Sequence, residues 1–149
     1  MIHRAPGSKL SLLFGLAGVG LLAAWSIACG EAAAPAPSIG PEVALERLRG
    51  DDPPLFLDVR TPAEYERAHI PGALNVPHTE VALRVDEIRA EGRDEIVVFC
   101  ERGGRAREAR ADLEAAGIGG VMRLAGEMRT WRSRRMPTVS GPERGTLAH

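Results

Sequence analysis

The sequence predicts an α/β domain built on a mainly parallel sheet. Three observations carry this. Short apolar runs alternate with segments of helical periodicity along residues 39–140. No two consecutive strand-like runs are joined by a two-residue hairpin turn, so each strand must return through a crossover. The segment "EIVVFC" (95–100) is continuous and β-branched, the mark of a strand covered on both faces. Four or five such strands with flanking helices fit a single domain of about 100 residues.

The elements follow in order. Gly40-Pro41 opens a short helix, with Ala44, Leu45 and Leu48 on one face and Gly50 as its stop. "LFLDV" (55–59) follows Asp-Pro-Pro and reads as a buried strand. Thr61-Pro62-Ala63-Glu64 is a capping box with proline in the first helical position, starting a brief helix around Tyr65. Pro71-Gly72 is turn chemistry, and "ALNV" is a short strand closed by Pro77. Thr79 can cap a helix that carries Val81, Val85 and Ile88 and ends at Gly92. After the strand at 95–100, Ala106, Ala109, Leu113 and Ala116 form a helix stripe over 105–116, and Gly117 stops it. "VMRL" (121–124) is another strand. A last short helix spans Glu127 to Arg134 around Trp131, and "MPTVSG" returns to extended chain.

The first residues are not part of the domain. His3, Arg4 and Lys9 precede nineteen uncharged residues, Leu10 to Ala28, and then Cys29. This is a secretory leader pattern, and Ser26-Ile27-Ala28-Cys29 resembles a bacterial lipobox. The expectation is a signal peptide over 1–28 and lipidation at Cys29. The protein is then exported and held on the periplasmic side of a membrane. Cleavage near Ala34, or an uncleaved anchor, are the competing readings. Residues 29–38, rich in proline and alanine, read as a tether. Residues 141–149 read as a flexible tail.

With Cys29 in the leader, Cys100 is the one remaining thiol in an oxidising compartment, with no internal disulfide partner. It is either a small core hydrophobe or a nucleophile. Its setting favours the second. The order is strand, Cys100, loop, helix N-terminus, at the strand end where ligands bind in parallel sheets. The peptides of Glu101, Arg102, Gly103, Gly104 and Arg105 can curl their N–H groups inward, with glycine permitting positive φ. The helix that follows adds its partial positive charge. A thiol in such a ring should ionise readily. Residues 100–149 carry 10 Arg against 6 Asp plus Glu, whereas 29–99 carry 7 against 14. The basic half helps a small anion arrive. Its charge is too dilute and too mixed with acids for nucleic acid, and arginine-biased composition alone accounts for much of it.

Two loop classes share this layout. Cysteine phosphatases carry Cys-x5-Arg, and single-domain rhodanese-type sulfurtransferases commonly carry Cys-x4-Arg. Cys100 to Arg105 is Cys-x4-Arg. "LDVRTPAEYERAHIPGALNVP" (57–77) and "LAGEMRTWRSRRMP" (124–137) resemble the opening and closing segments of the rhodanese family. The resemblance covers residues 38–140 and implies a three-layer domain, a sheet between helices. It also implies a sulfurtransferase. Cys100 attacks an anionic donor such as thiosulfate, holds its sulfur as a persulfide, and yields it to a thiol or other thiophilic acceptor. No metal or organic cofactor is needed. Glu101 and Arg102 sit at the rim, and Arg105 orients the loop. Asp58 and Arg60 read as a buried hydrogen-bonding or ion pair, and His69 as the brace of a turn. Departures are Ala68 and Glu127, where the family often has glycine, and Arg102 and Ala106, where it often has small polar residues. The backbone at Glu127 is therefore expected to differ. A cysteine phosphatase or arsenate reductase, and a non-catalytic sulfur-presenting module, are the rival functions.

Overall fold

The computed structural model describes residues 36–144; the expected leader, Cys29 and most of the tether lie outside the described residues. Five strands form one sheet in the order β1-β5-β4-β2-β3. They are β1 (Ser38–Ile39), β2 (Leu55–Asp58), β3 (Leu74–Asn75), β4 (Ile96–Phe99) and β5 (Val121–Leu124). Every pairing is parallel, with Leu57 opposite Val98 and Val98 opposite Arg123 at the centre. The α/β expectation with four or five strands holds, and the sheet is wholly parallel. The helices are α1 (Pro41–Leu48), α2 (Pro62–Arg67), α3 (Val85–Ala90), α4 (Gly104–Ala115) and α5 (Glu127–Ser133).

Side chains alternate across the central strands and divide the core in two. Leu55, Leu57, Ile96, Val98 and Cys100 pack on one face with Ala106, Ala109 and Leu113 of α4 and Ile88 of α3. Phe56, Val97 and Phe99 pack on the other with Ala44, Tyr65, Met128 and Trp131. Cys100 thus continues the parity of Ile96 and Val98. That parity turns its side chain toward the start of α4.

Three local expectations change. Ser38, placed in the tether, is in β1, and the carbonyl of Pro37 accepts from Arg123 N–H at 3.0 Å. A two-residue edge strand is decided by its partner and has no pattern of its own. The single helix expected from Thr79 divides into a 3₁₀ helix (His78–Leu83) and α3. Thr79 lies inside the first piece and caps neither. Val81 and Ile88 are both buried from these two differently wound pieces, so helical spacing could not reveal the break. Beyond residue 140 the chain still returns to the domain. The Arg144 carbonyl accepts from Gly72 N–H at 2.7 Å, and its guanidinium pairs with Glu91.

Among the described residues every buried side-chain nitrogen and oxygen has a hydrogen-bond partner. No helix among them is long and apolar enough to cross a membrane.

Candidate active site

β4 ends at Phe99, and Cys100 follows at the carboxyl rim of the sheet. Its Sγ accepts a hydrogen bond from Gly103 N–H at 3.0 Å. Gly103 makes this possible with φ 97°, a left-handed value that glycine adopts freely. A Cβ there would also meet Arg123 Nη2 at 2.8 Å and Glu127 Oε1 at 3.2 Å. Among the described residues the N–H groups of Glu101, Arg102 and Gly104 find no protein acceptor. The loop therefore retains donors for an incoming anion. The thiol is not open at the mouth of the loop. Cys100 is 1% exposed, because its strand parity buries it in the core that includes Ala106.

Glu101 follows Cys100 and is half-buried. Its carboxylate pairs with Arg132 of α5 and stands 4.0 Å from Arg60 Nη1. Arg60, Glu64, Arg67, Ala68, Glu101 and Arg132 line a cleft of about 360 Å³. Arg102 projects outward and is exposed, as is Gly104.

Asp58 and Arg60 form a buried bidentate pair at the end of β2. Arg60 Nε donates to Oδ1 at 2.9 Å and Nη2 donates to Oδ2 at 2.6 Å. Arg60 Nη2 also reaches the Ala68 carbonyl, and Arg60 N–H donates to Oδ1 at 3.0 Å. Asp58 is 0% and Arg60 2% exposed. Burial pushes the Asp58 carboxyl above its ordinary range, and the Arg60 guanidinium pulls against that shift. His69 stands apart from the thiol's polar contacts. It stacks on Tyr65 with ring centroids 3.6 Å apart, and its ring nitrogens face the Tyr65 and Arg144 carbonyls. It braces the return of the C-terminal segment.

Arg105, from the first turn of α4, forks onto Glu64 at 2.6 and 2.9 Å. Glu64 closes the capping box of α2 as well. One carboxylate thus ties two helix starts together. The Arg105 guanidinium is held above its usual range, first by Glu64 and further by the nearby Cys100 thiol. Arg105 in turn holds the Glu64 carboxyl down to about 2. A depressed carboxyl stabilises the fold fully above its unfolded value near 4.5 and ceases to do so as pH falls through about 2. Glu64→Gln keeps a capping acceptor but loses the charge. Its urea midpoint is expected below wild type at neutral pH, with the gap closing between pH 4.5 and 2. A gap that is constant down to pH 2 would contradict the pair's contribution.

Behind the loop is a group that sequence reasoning did not assign. Glu127 is 2% exposed, and its Oε2 accepts from Cys100 N–H at 2.8 Å. Its Oε1 pairs with Arg123 Nη2 at 3.0 Å. Burial pushes its carboxyl up, while the Cys100 N–H and Arg123 pull it down. The backbone expected to differ here does not: glutamate takes φ 58°, the left-handed conformation that glycine favours. Arg123 and Glu127 are four apart, but they straddle a strand end and a helix start. No helical spacing rule announces them. Glu64 was legible only as a cap, and Arg132 not at all, since their partners come from distant segments.

A family model described as Rhodanese-like domain matches residues 41–134. A sulfurtransferase of Allochromatium vinosum is 36% identical over 95 residues, covering 64% of this chain and 87% of that protein. YrkF of Bacillus subtilis, a putative sulfur carrier protein, is 35% identical over 101 residues. That match takes in 68% of this chain and 54% of YrkF, so the chain spans about half of that protein. The solution structure of the rhodanese-like domain of an Anabaena protein is similar with a TM-score of 0.61 and 28% identity, covering 76% of this chain and 86% of that one.

Proposed function

The chain belongs to the rhodanese-like domain family, and on that premise we propose that it moves a sulfane sulfur from an anionic donor such as thiosulfate to a thiophilic acceptor through Cys100. The observation that carries this reading is the Gly103 N–H on Cys100 Sγ, in a loop whose neighbouring N–H groups are without protein acceptors. In the first step the Cys100 thiolate attacks the outer sulfur of thiosulfate. The bond between the two sulfurs of the donor breaks, and sulfite leaves with the electron pair. Cys100 then carries a persulfide whose anionic outer sulfur takes the loop donors. In the second step a thiolate or cyanide attacks that outer sulfur. The persulfide S–S bond breaks and the Cys100 thiolate returns. Arg60, Arg67 and Arg132 outnumber Glu64 and Glu101 around the neighbouring cleft, which supports an anionic donor.

Full-length protein incubated with thiosulfate is expected to gain one sulfur atom by intact mass, and Cys100→Ser none. A wild type that stays unmodified with Cys100 reduced would sink the enzyme reading.

We further propose export with lipidation at Cys29. The support is the basic start, the uncharged run to Ala28 and the cysteine after small residues. Cys29→Ala is expected to move the protein from the membrane fraction to the soluble exported fraction. Unchanged membrane retention would favour an uncleaved anchor.

A further inference from the structure

We propose that Glu127 is a positioning residue for the Cys100 thiol: its carboxylate, paired with Arg123, fixes the backbone of the nucleophile and sets a negative charge behind the sulfur. This rests on the reading of Cys100 as the nucleophile. Two costs fall on one residue. The backbone is left-handed at a side-chain-bearing position, and a carboxylate is buried to 2% exposure. Such costs persist where the surroundings over-determine them. Here they do so from three sides: Cys100 N–H at 2.8 Å, Arg123 at 3.0 Å, and Gly103, which has no room for a Cβ above the pair. The Met128 N–H, next along α5, donates to the Cys100 carbonyl at 3.0 Å. Both polar backbone groups of Cys100 are therefore held by the first two residues of α5.

A neutral acceptor could satisfy Cys100 N–H, so the charge asks for its own account. Three arginine–carboxylate pairs reach the Cys100 loop. From α4, Arg105 turns its guanidinium toward Cys100, backed by Glu64. From β2, Arg60 is backed by Asp58 and faces Glu101 of the loop itself. From β5 and α5, the third pair is reversed. Its carboxylate accepts from Cys100 N–H, and its cation, Arg123, lies beside Gly103. Glu127 thus opposes the loop donors and Arg105. A negative charge on that side disfavours a second one on the sulfur. A more basic thiolate attacks the donor sulfur faster once formed, and it is a poorer leaving group, so the persulfide waits for its acceptor.

The test is the pH dependence of iodoacetamide alkylation at Cys100 in the full-length protein, read on the Cys100 peptide by mass spectrometry so that Cys29 does not interfere. Glu127→Gln keeps an oxygen for Cys100 N–H and removes the charge. Its alkylation midpoint is expected to fall by about half a pH unit or more. Glu127→Gly also removes the charge and suits the left-handed backbone at this position, and its midpoint is expected to fall as well. A purely structural role changes the rate at every pH and leaves the midpoint in place. A Glu127→Gln midpoint at or above the wild-type value overturns the proposal. If that variant does not fold, a Glu127→Gly midpoint at or above wild type does so. Alkylation needs no sulfur donor. A wild type that forms no persulfide defeats the sulfurtransferase reading and leaves this result standing.

Discussion

Cys100→Ser will keep the fold and lose sulfur transfer. The hydroxyl is close in size to the thiol, can still accept from Gly103 N–H, and sits in the same packed face of the sheet. Stability should fall by about 0.5–3 kcal/mol, the ordinary range for a single substitution. Chemistry should not survive. A serine hydroxyl does not ionise near neutral pH, and oxygen cannot hold sulfane sulfur as a persulfide. Loss of a covalent nucleophile costs roughly 10³-fold or more in turnover. Thiosulfate-to-cyanide transfer checks this, with thermal unfolding as the control for folding. Retention of more than a few per cent of wild-type turnover would mean that Cys100 is not the carrier. Arg60, Arg67 and Arg132 stay in place, so weak donor binding should persist in the variant.

Asp58→Ala will carry the largest stability loss. It removes the bidentate partner of the Arg60 guanidinium, which is 2% exposed and keeps only the Ala68 carbonyl and Glu101 at 4.0 Å. Breaking one half of a buried pair costs about 3–5 kcal/mol, a large share of the 5–15 kcal/mol that holds an ordinary domain together. Asp58 is also the C-terminal residue of β2. Asn75 Nδ2 donates to its carbonyl at 2.8 Å and to that of Arg60 at 3.0 Å, so disturbance there spreads to the β2–β3 edge. Urea denaturation of wild type and variant measures the loss; a difference under 1 kcal/mol would refute it. Asp58→Leu combined with Arg60→Met is expected to recover much of the stability, since an apolar pair avoids the desolvation cost. The double variant should not recover donor affinity, because Arg60 lines the cleft.

The parts of this molecule that were legible in its sequence are those whose cause is local. β4 announces itself because both faces are covered and every position is apolar. The capping box at Thr61–Glu64 is a four-residue device whose bonds all form within it. The Cys100 loop is legible for the same reason: strand, thiol, two glycines and helix start are contiguous. What was illegible has its cause elsewhere in the chain. Ser38–Ile39 becomes a strand only because β5 presents an edge to it. Glu64 meets Arg105, Glu101 meets Arg132, and Glu127 meets Cys100 from segments far apart in sequence. The left-handed backbone at Glu127 could not be read from residue type, since glutamate does not favour it. The burial of Cys100 follows from strand parity, which is visible only once Ile96 and Val98 are assigned to a face.

The pairing of β1 with β5 bears on how the domain is assembled. Ser38 is synthesised at the start of the domain, and its ladder partner Arg123 close to the end. β1 has no edge to join until β5 is made and seated on β4. The order of synthesis is therefore not the order of completion. The ladder between β1 and β5 closes a contact across nearly the whole domain, the kind of long-range pairing that slows folding.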